Sequence, residues 1–164
     1  MSDQHNTSET AAGHHLVQLN VGRLRAPLDD PSMAEFAESL GPINALAESS
    51  PGFVWRLVAE DGSSSSYVDV PGADDPLLAV NYSIWTDLES LRGFVFRSDH
   101  TGYLRRRREW FAPIAEAITV CWWVPAGEIP PLAEAMDRLD HLRRHGPSDQ
   151  GWPMTRPYDP PEGG

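Results

Sequence analysis

The sequence predicts an α+β domain of ferredoxin-like β-α-β-β-α-β order, with an added C-terminal helix, paired with a second copy into a dimeric α/β barrel. Three observations lead there. Segments of period-2 alternation and segments of helical spacing follow one another in that order. Two split β-α-β halves of this kind form a four-stranded antiparallel sheet with helices on one face. The other face then carries tryptophan and aliphatic residues from several strands, and an exposed patch of that size calls for a partner.

Residues 14–25 (HHLVQLNVGRLR) alternate around Val17, Leu19 and Val21 and read as the first strand. Asp29, Asp30 and Pro31 start a helix, with Met33, Phe36, Ala37 and Leu40 at helical spacing. Gly41-Pro42 is expected to break or kink it before it resumes over 43–47. The second strand is 52–59, followed by a loop rich in serine, glycine and aspartate, and the third strand is 77–85 (LLAVNYSIW). Thr86-Asp87 caps a second helix bearing Leu88, Leu91 and Val95, which re-caps near Ser98-Asp99 and runs through Leu104 to Phe111. Residues 118–124 (ITVCWWV) form the fourth strand. Pro130-Pro131 opens a last helix with Leu132, Met136, Leu139 and Leu142 inward, and Gly146-Pro147 stops it. The domain is thus 14–146, between a disordered tail at 1–13 and a proline-rich tail at 147–164 whose Trp152, Met154 and Tyr158 suggest docking.

Composition excludes several classes of function. The chain has 24 acidic residues against 13 basic ones, a net charge of −11, so nucleic acid and anionic membrane are not expected partners. All the basic residues are arginine, which removes Schiff-base chemistry and the lysine of a P-loop. Arg105 to Arg108 spread over about 300° of a helix and form no single basic face. No segment has about 18 consecutive apolar residues, the first residues lack the pattern of a signal peptide, and a lone cysteine, Cys121, forms no internal disulfide. These features point to the cytoplasm.

The stretches QLNVGRLRAPLDDPSMAEF, INALAESSPGFVWRL, FVFRSDH, RRRREWF, WWVPAGEIP and RLDHLRRHGPS resemble a bacterial domain-of-unknown-function family over residues 16–148. That family is placed in the dimeric α/β barrel superfamily, with the antibiotic-biosynthesis monooxygenases as relatives. The resemblance implies the fold and brings no catalytic residues with it. The chain departs from the family pattern at Glu128, where members usually carry histidine, and over 150–158 (QGWPMTRPY). NYSIW also resembles the strand of cofactor-independent monooxygenases that bears an asparagine and, four residues on, a tryptophan; the matching positions are Asn81 and Trp85.

On the third strand Asn81, Ser83 and Trp85 share the mixed face that suits a pocket wall, and Gln18 and Asn20 do so on the first. The alternative is that these amides satisfy backbone groups. Trp55 of the second strand is taken as a further substrate contact. On a continuous second helix His100, Tyr103 and Arg107 share a face, suited to binding and deprotonating a phenol or enol; alternatively SDH is only a capping turn. Asp137, His141 and His145 have the spacing to share a metal on one helical face, or to be solvated; no metal is expected.

Three functions compete. One is a cofactor-independent, monooxygenase-like enzyme for an aromatic or polyketide-like metabolite, with His100, Asn81 and Trp85 catalytic and Gln18, Asn20, Trp55, Tyr103 and Arg107 binding substrate. The second is a haem-binding protein, weakened because Leu104 and Arg105 stand where haem-degrading relatives place the axial histidine. The third is a non-catalytic, ligand-binding homodimer.

Overall fold

A computed structural model describes residues 13–58, 70, 75–97 and 107–161, the side chains of Arg97 and Arg107 excepted. They form a mixed α/β unit with a five-stranded antiparallel sheet and four α-helices. The strands are β1 (His14–Leu24), β2 (Phe53–Arg56), β3 (Leu78–Trp85), β4 (Phe111–Ala112) and β5 (Thr119–Pro125). The helices are α1 (Ala34–Glu48), α2 (Leu88–Arg97), α3 (Arg107–Trp110) and α4 (Leu132–His145). No described helix is long and apolar enough to cross a membrane.

β1 is the axis of the sheet. It pairs with β3 along one edge and with β5 along the other, while β4 meets only its last residues, Arg23 and Leu24. β2 adds to the far edge of β3. The long β1 suits this role: ten of its eleven residues are buried or half-buried, so both of its faces are covered although Gln18 and Asn20 interrupt its apolar residues.

Alternation along the strands divides the side chains. Val17, Leu19, Val21, Val80, Tyr82, Ile84, Val120, Trp122 and Val124 form one face and pack against Ala135, Leu139 and Leu142 of α4. Those three lie at i, i+4 and i+7, one stripe of the helix. The Tyr82 hydroxyl is pinned here, donating to the Pro130 carbonyl at 2.6 Å, and burial holds it well above the usual phenol pKa. The apolar face expected to be bare is therefore covered within the chain. α1 and α2 lie against the opposite face, with Phe36, Leu40, Ala47 and Leu91 buried.

Four local expectations change. α1 does not break at Gly41-Pro42; Pro42 lies inside one 15-residue helix. Buried Phe36 and Leu40 before the proline and Ala47 after it anchor both halves, which offsets the lost backbone hydrogen bond. The helical segment does not reach Phe111: α3 stops at Trp110, and Phe111 enters β4, opposite Leu24. β2 is four residues long, shorter than the 52–59 expected. It also contains an irregularity, so Phe53 faces Trp85 and Trp55 faces the very next residue, Ile84. One extra residue in a strand sends neighbours that would share a face to opposite faces.

The proline-rich end docks. Trp152 is fully buried and exchanges two backbone hydrogen bonds with Cys121 of β5, at 2.7 and 2.9 Å. Gly151 makes that approach possible, because a Cβ there would sit 2.7 Å from Val120 Cγ2.

Candidate functional site

The face opposite α4 is crossed by matched rows of side chains. The strand register puts Asn20 between Asn81 and Thr119, Gln18 between Ser83 and Cys121, and Leu16 between Trp85 and Trp123. Side chains directly opposite on neighbouring strands touch, so the amides and hydroxyls of three strands form one polar strip.

The strip is hydrogen-bonded into a fixed shape. Trp85 Nε1–H donates to Ser83 Oγ at 2.9 Å, and Ser83 Oγ–H donates to Gln18 Oε1 at 3.0 Å. Asn20 Nδ2–H donates to Thr119 Oγ1 at 2.7 Å. Gln18, Ser83 and Trp85 are buried and Asn20 is half-buried, whereas Asn81 is exposed. A chain of bonds that consumes the indole N–H and the serine hydroxyl leaves the Gln18 amide nitrogen and the Asn81 amide without partners among the described residues.

Above the strip is a cavity of about 300 Å3. Its walls come from α1 (Phe36, Leu40, Ile43, Asn44), α2 (Leu91, Phe94, Val95, Phe96), Phe111 of β4 and Met154 of the C-terminal segment. On α1 the lining residues form one stripe, at i, i+4, i+7 and i+8. α2 is fixed at its start by Asp87, whose carboxylate accepts from the Ser90 backbone N–H at 2.7 Å. Trp85 and Phe94 stack with centroids 5.5 Å apart and close the inner end. Met154 is held in place by the Arg92 guanidinium, which donates to its carbonyl at 3.0 Å.

The cavity brings together five residues singled out in the sequence: Gln18, Asn20, Asn81, Ser83 and Trp85. It lies inside one chain, between sheet and helices, rather than between two facing sheets. Trp55 is not among the lining residues. The β2 irregularity turns it to the α4 face, where it meets Tyr82 edge-on at 5.5 Å. His100 and Tyr103, and the side chain of Arg107, lie outside the described residues. Asp137, His141 and His145 do not form a metal-binding set. The two histidine rings pack 4.5 Å apart, and among the described residues no three potential ligands converge.

Thr119, Asn44, Phe94 and Met154 were not anticipated. Thr119 could be found only from the β1–β5 register, and Met154 only from the docking of the tail.

What the arrangement offers is uniform in kind. None of the described lining residues titrates. Apolar and aromatic walls over a neutral polar floor suit an uncharged, flat, largely apolar molecule with one or two oxygen atoms to be hydrogen-bonded.

Comparison with known proteins returns a family and a distant structural likeness. The family described as "Domain of unknown function (DUF3291)" matches residues 15–164. Among solved structures the chain is similar to SnoaB, a cofactor-independent oxygenase from Streptomyces nogalater. The TM-score is 0.45 and the identity 16%, over 71% of this chain and 97% of that one. No curated protein matches the chain.

Proposed function

The chain belongs to the DUF3291 family, and from the geometry of its cavity we propose that the protein binds an uncharged aromatic or polyketide-like metabolite between its sheet and its first two helices. One observation carries this reading: the Gln18–Ser83–Trp85 hydrogen-bond chain and the Asn20–Thr119 pair form a rigid, neutral polar floor beneath an otherwise apolar cavity. The ligand's ring system packs on Phe36, Phe94 and Val95, and its oxygen atoms meet the unpartnered amides of Gln18 and Asn81. The described lining comes from one chain, so the reading stands whether or not two copies pair.

Cofactor-independent, monooxygenase-like turnover is the finer reading, supported by the match of Asn81 and Trp85 to the NYSIW-type strand. That chemistry needs a group to take the substrate's phenolic or enolic proton, and the described lining supplies none. The indole N–H of Trp85 is committed to Ser83, so Trp85 serves as a wall for the ring and Asn81 as the hydrogen-bonding group. The haem alternative does not fit the described lining, which contains no histidine to act as axial ligand.

The test uses 1-naphthol and tryptophan fluorescence. The wild-type chain is expected to bind it saturably, with quenching. Ala79→Leu, which fills the cavity from β3, is expected to weaken binding about tenfold or more while the melting temperature stays close to wild type. Equal binding by the two proteins sinks the proposal. Oxygen uptake on adding 1-naphthol separates turnover from binding alone.

A further inference from the structure

A second cavity, of about 330 Å3, lies beside β4. Phe111 and Gly22 line both it and the interior cavity, and so form the partition between them. The two spaces differ in chemistry. The interior one has no titratable residue among its described lining, whereas the outer one is lined by Arg25 and Arg108.

The described arginines of the chain fall into two groups. Arg23, Arg56, Arg138, Arg143 and Arg144 each pair with a carboxylate, at 2.6 to 3.5 Å. Arg25 and Arg108, like Arg92 and Arg156, have no carboxylate partner among the described residues, although the chain holds 24 acidic residues, and of these four only Arg25 and Arg108 line a cavity together. Arg25 is also held in place: its Nε–H donates to the Arg108 carbonyl at 2.8 Å. That bond uses one edge of the guanidinium, fixes both residues at one mouth, and leaves the terminal amino groups of Arg25 free. Behind them the wall is apolar, formed by Phe111, Pro113, Ile114 and Ile118.

The geometry points to a second binding site here, for an apolar carboxylic acid in its anionic form. The carboxylate sits between Arg25 and Arg108, matched to the planar, multiply donating guanidinium, and the ring or short chain behind it packs on Ile114 and Ile118. The site does not depend on what fills the interior cavity.

The test compares 4-phenylbutanoate with its neutral isostere 4-phenylbutanamide by calorimetric titration of the full chain. The acid is expected to bind about tenfold or more tightly than the amide. The Arg25→Gln/Arg108→Gln double variant is expected to lose that preference, and Ile114→Trp, which fills the cavity without altering either arginine, to bind neither compound. The proposal is overturned by absence of saturable acid binding to wild type, by equal affinity for acid and amide, or by a preference that survives the double substitution. Acid binding by Ile114→Trp at wild-type strength overturns it too. Should the double variant fail to fold, Arg108→Gln alone keeps the carbonyl that holds Arg25. It is expected to lose roughly threefold in affinity for the acid, and an unchanged affinity counts against the site.

Discussion

The two faces of the sheet are built from the same strands yet enclose opposite interiors. Toward α4, residues such as Leu19, Ile84, Val120 and Trp122 are fully buried and meet a helix stripe of Ala135, Leu139 and Leu142. Toward α1 and α2, the alternate residues Gln18, Asn20, Ser83 and Trp85 face a cavity of about 300 Å3. Small Ala135 lets α4 lie close to the strands, whereas at one end of the other face Phe53 meets Trp85 edge-on and Phe94 stacks on it. Period-2 alternation therefore assigns side chains to faces, but the element laid over each face decides whether it becomes solid core or binding space.

The largest effect is expected on the solid face. Leu139→Ala removes a fully buried side chain from between α4 and β5, and should cost about 2–5 kcal/mol in denaturant unfolding. Binding of 1-naphthol by the fraction that remains folded should not change. A loss below about 1 kcal/mol would mean that α4 packs loosely, and the contrast between the faces would fall.

A smaller effect is expected from the hollow face. Ser83→Ala removes the link between Trp85 and Gln18 and leaves the buried Trp85 Nε1–H without its acceptor. Such an orphaned donor costs about 1–3 kcal/mol. Unlike Leu139→Ala, this change should also alter 1-naphthol affinity, because Gln18 is freed to turn. Loss of stability with unchanged binding would sharpen the picture differently, leaving the strip a structural brace alone.

Much of this contrast was legible in the sequence. Gln18 and Asn20 stand apart from Val17, Leu19 and Val21 by simple alternation, and Asn81, Ser83 and Trp85 stand apart from Val80, Tyr82 and Ile84 in the same way. The stripe Leu132, Met136, Leu139 and Leu142 was visible on α4 too. Which sheet face that stripe covers is set by tertiary docking, which a hydrophobic period does not encode, so the apolar face was read as bare and in need of a second copy. Trp55 failed for a different reason. One irregular residue in β2 reverses every face assignment beyond it, and nothing in the letters GFVWRL marks it. Phe111 sat at helical spacing but lies in β4, where its pairing with Leu24 of β1 is long-range. Trp152 and Met154 gave a readable hint, being large apolar residues in an otherwise polar, proline-rich end.

The smallest effect at neutral pH belongs to Cys121, which shares a buried cluster with Trp152 and Trp85. Burial pushes its thiol up from 9.0 to about 12. The folded chain therefore keeps this proton while the unfolded chain, with a thiol near its ordinary value, releases it. For a group raised in the folded state, the stabilising contribution is fully present below the unfolded value and is lost as pH rises through the folded one. Here that window runs from about 9 to about 12. Near pH 7 the titration adds no pH dependence. Unfolding measured from pH 8 upward should show wild type losing stability faster than Cys121→Ala, with Tyr82 titrating alike in both and cancelling. Equal slopes would mean that the thiol reaches water. A thiol reagent gives the same answer by another route: at pH 8 it should label Cys121 readily in denaturant and hardly at all in the folded chain. Trp152→Ala, which strips the cover from β5, should restore labelling. If the folded wild-type chain reacts as fast as the variant, the C-terminal segment is not fastened to Cys121, and Met154 is not held against the cavity.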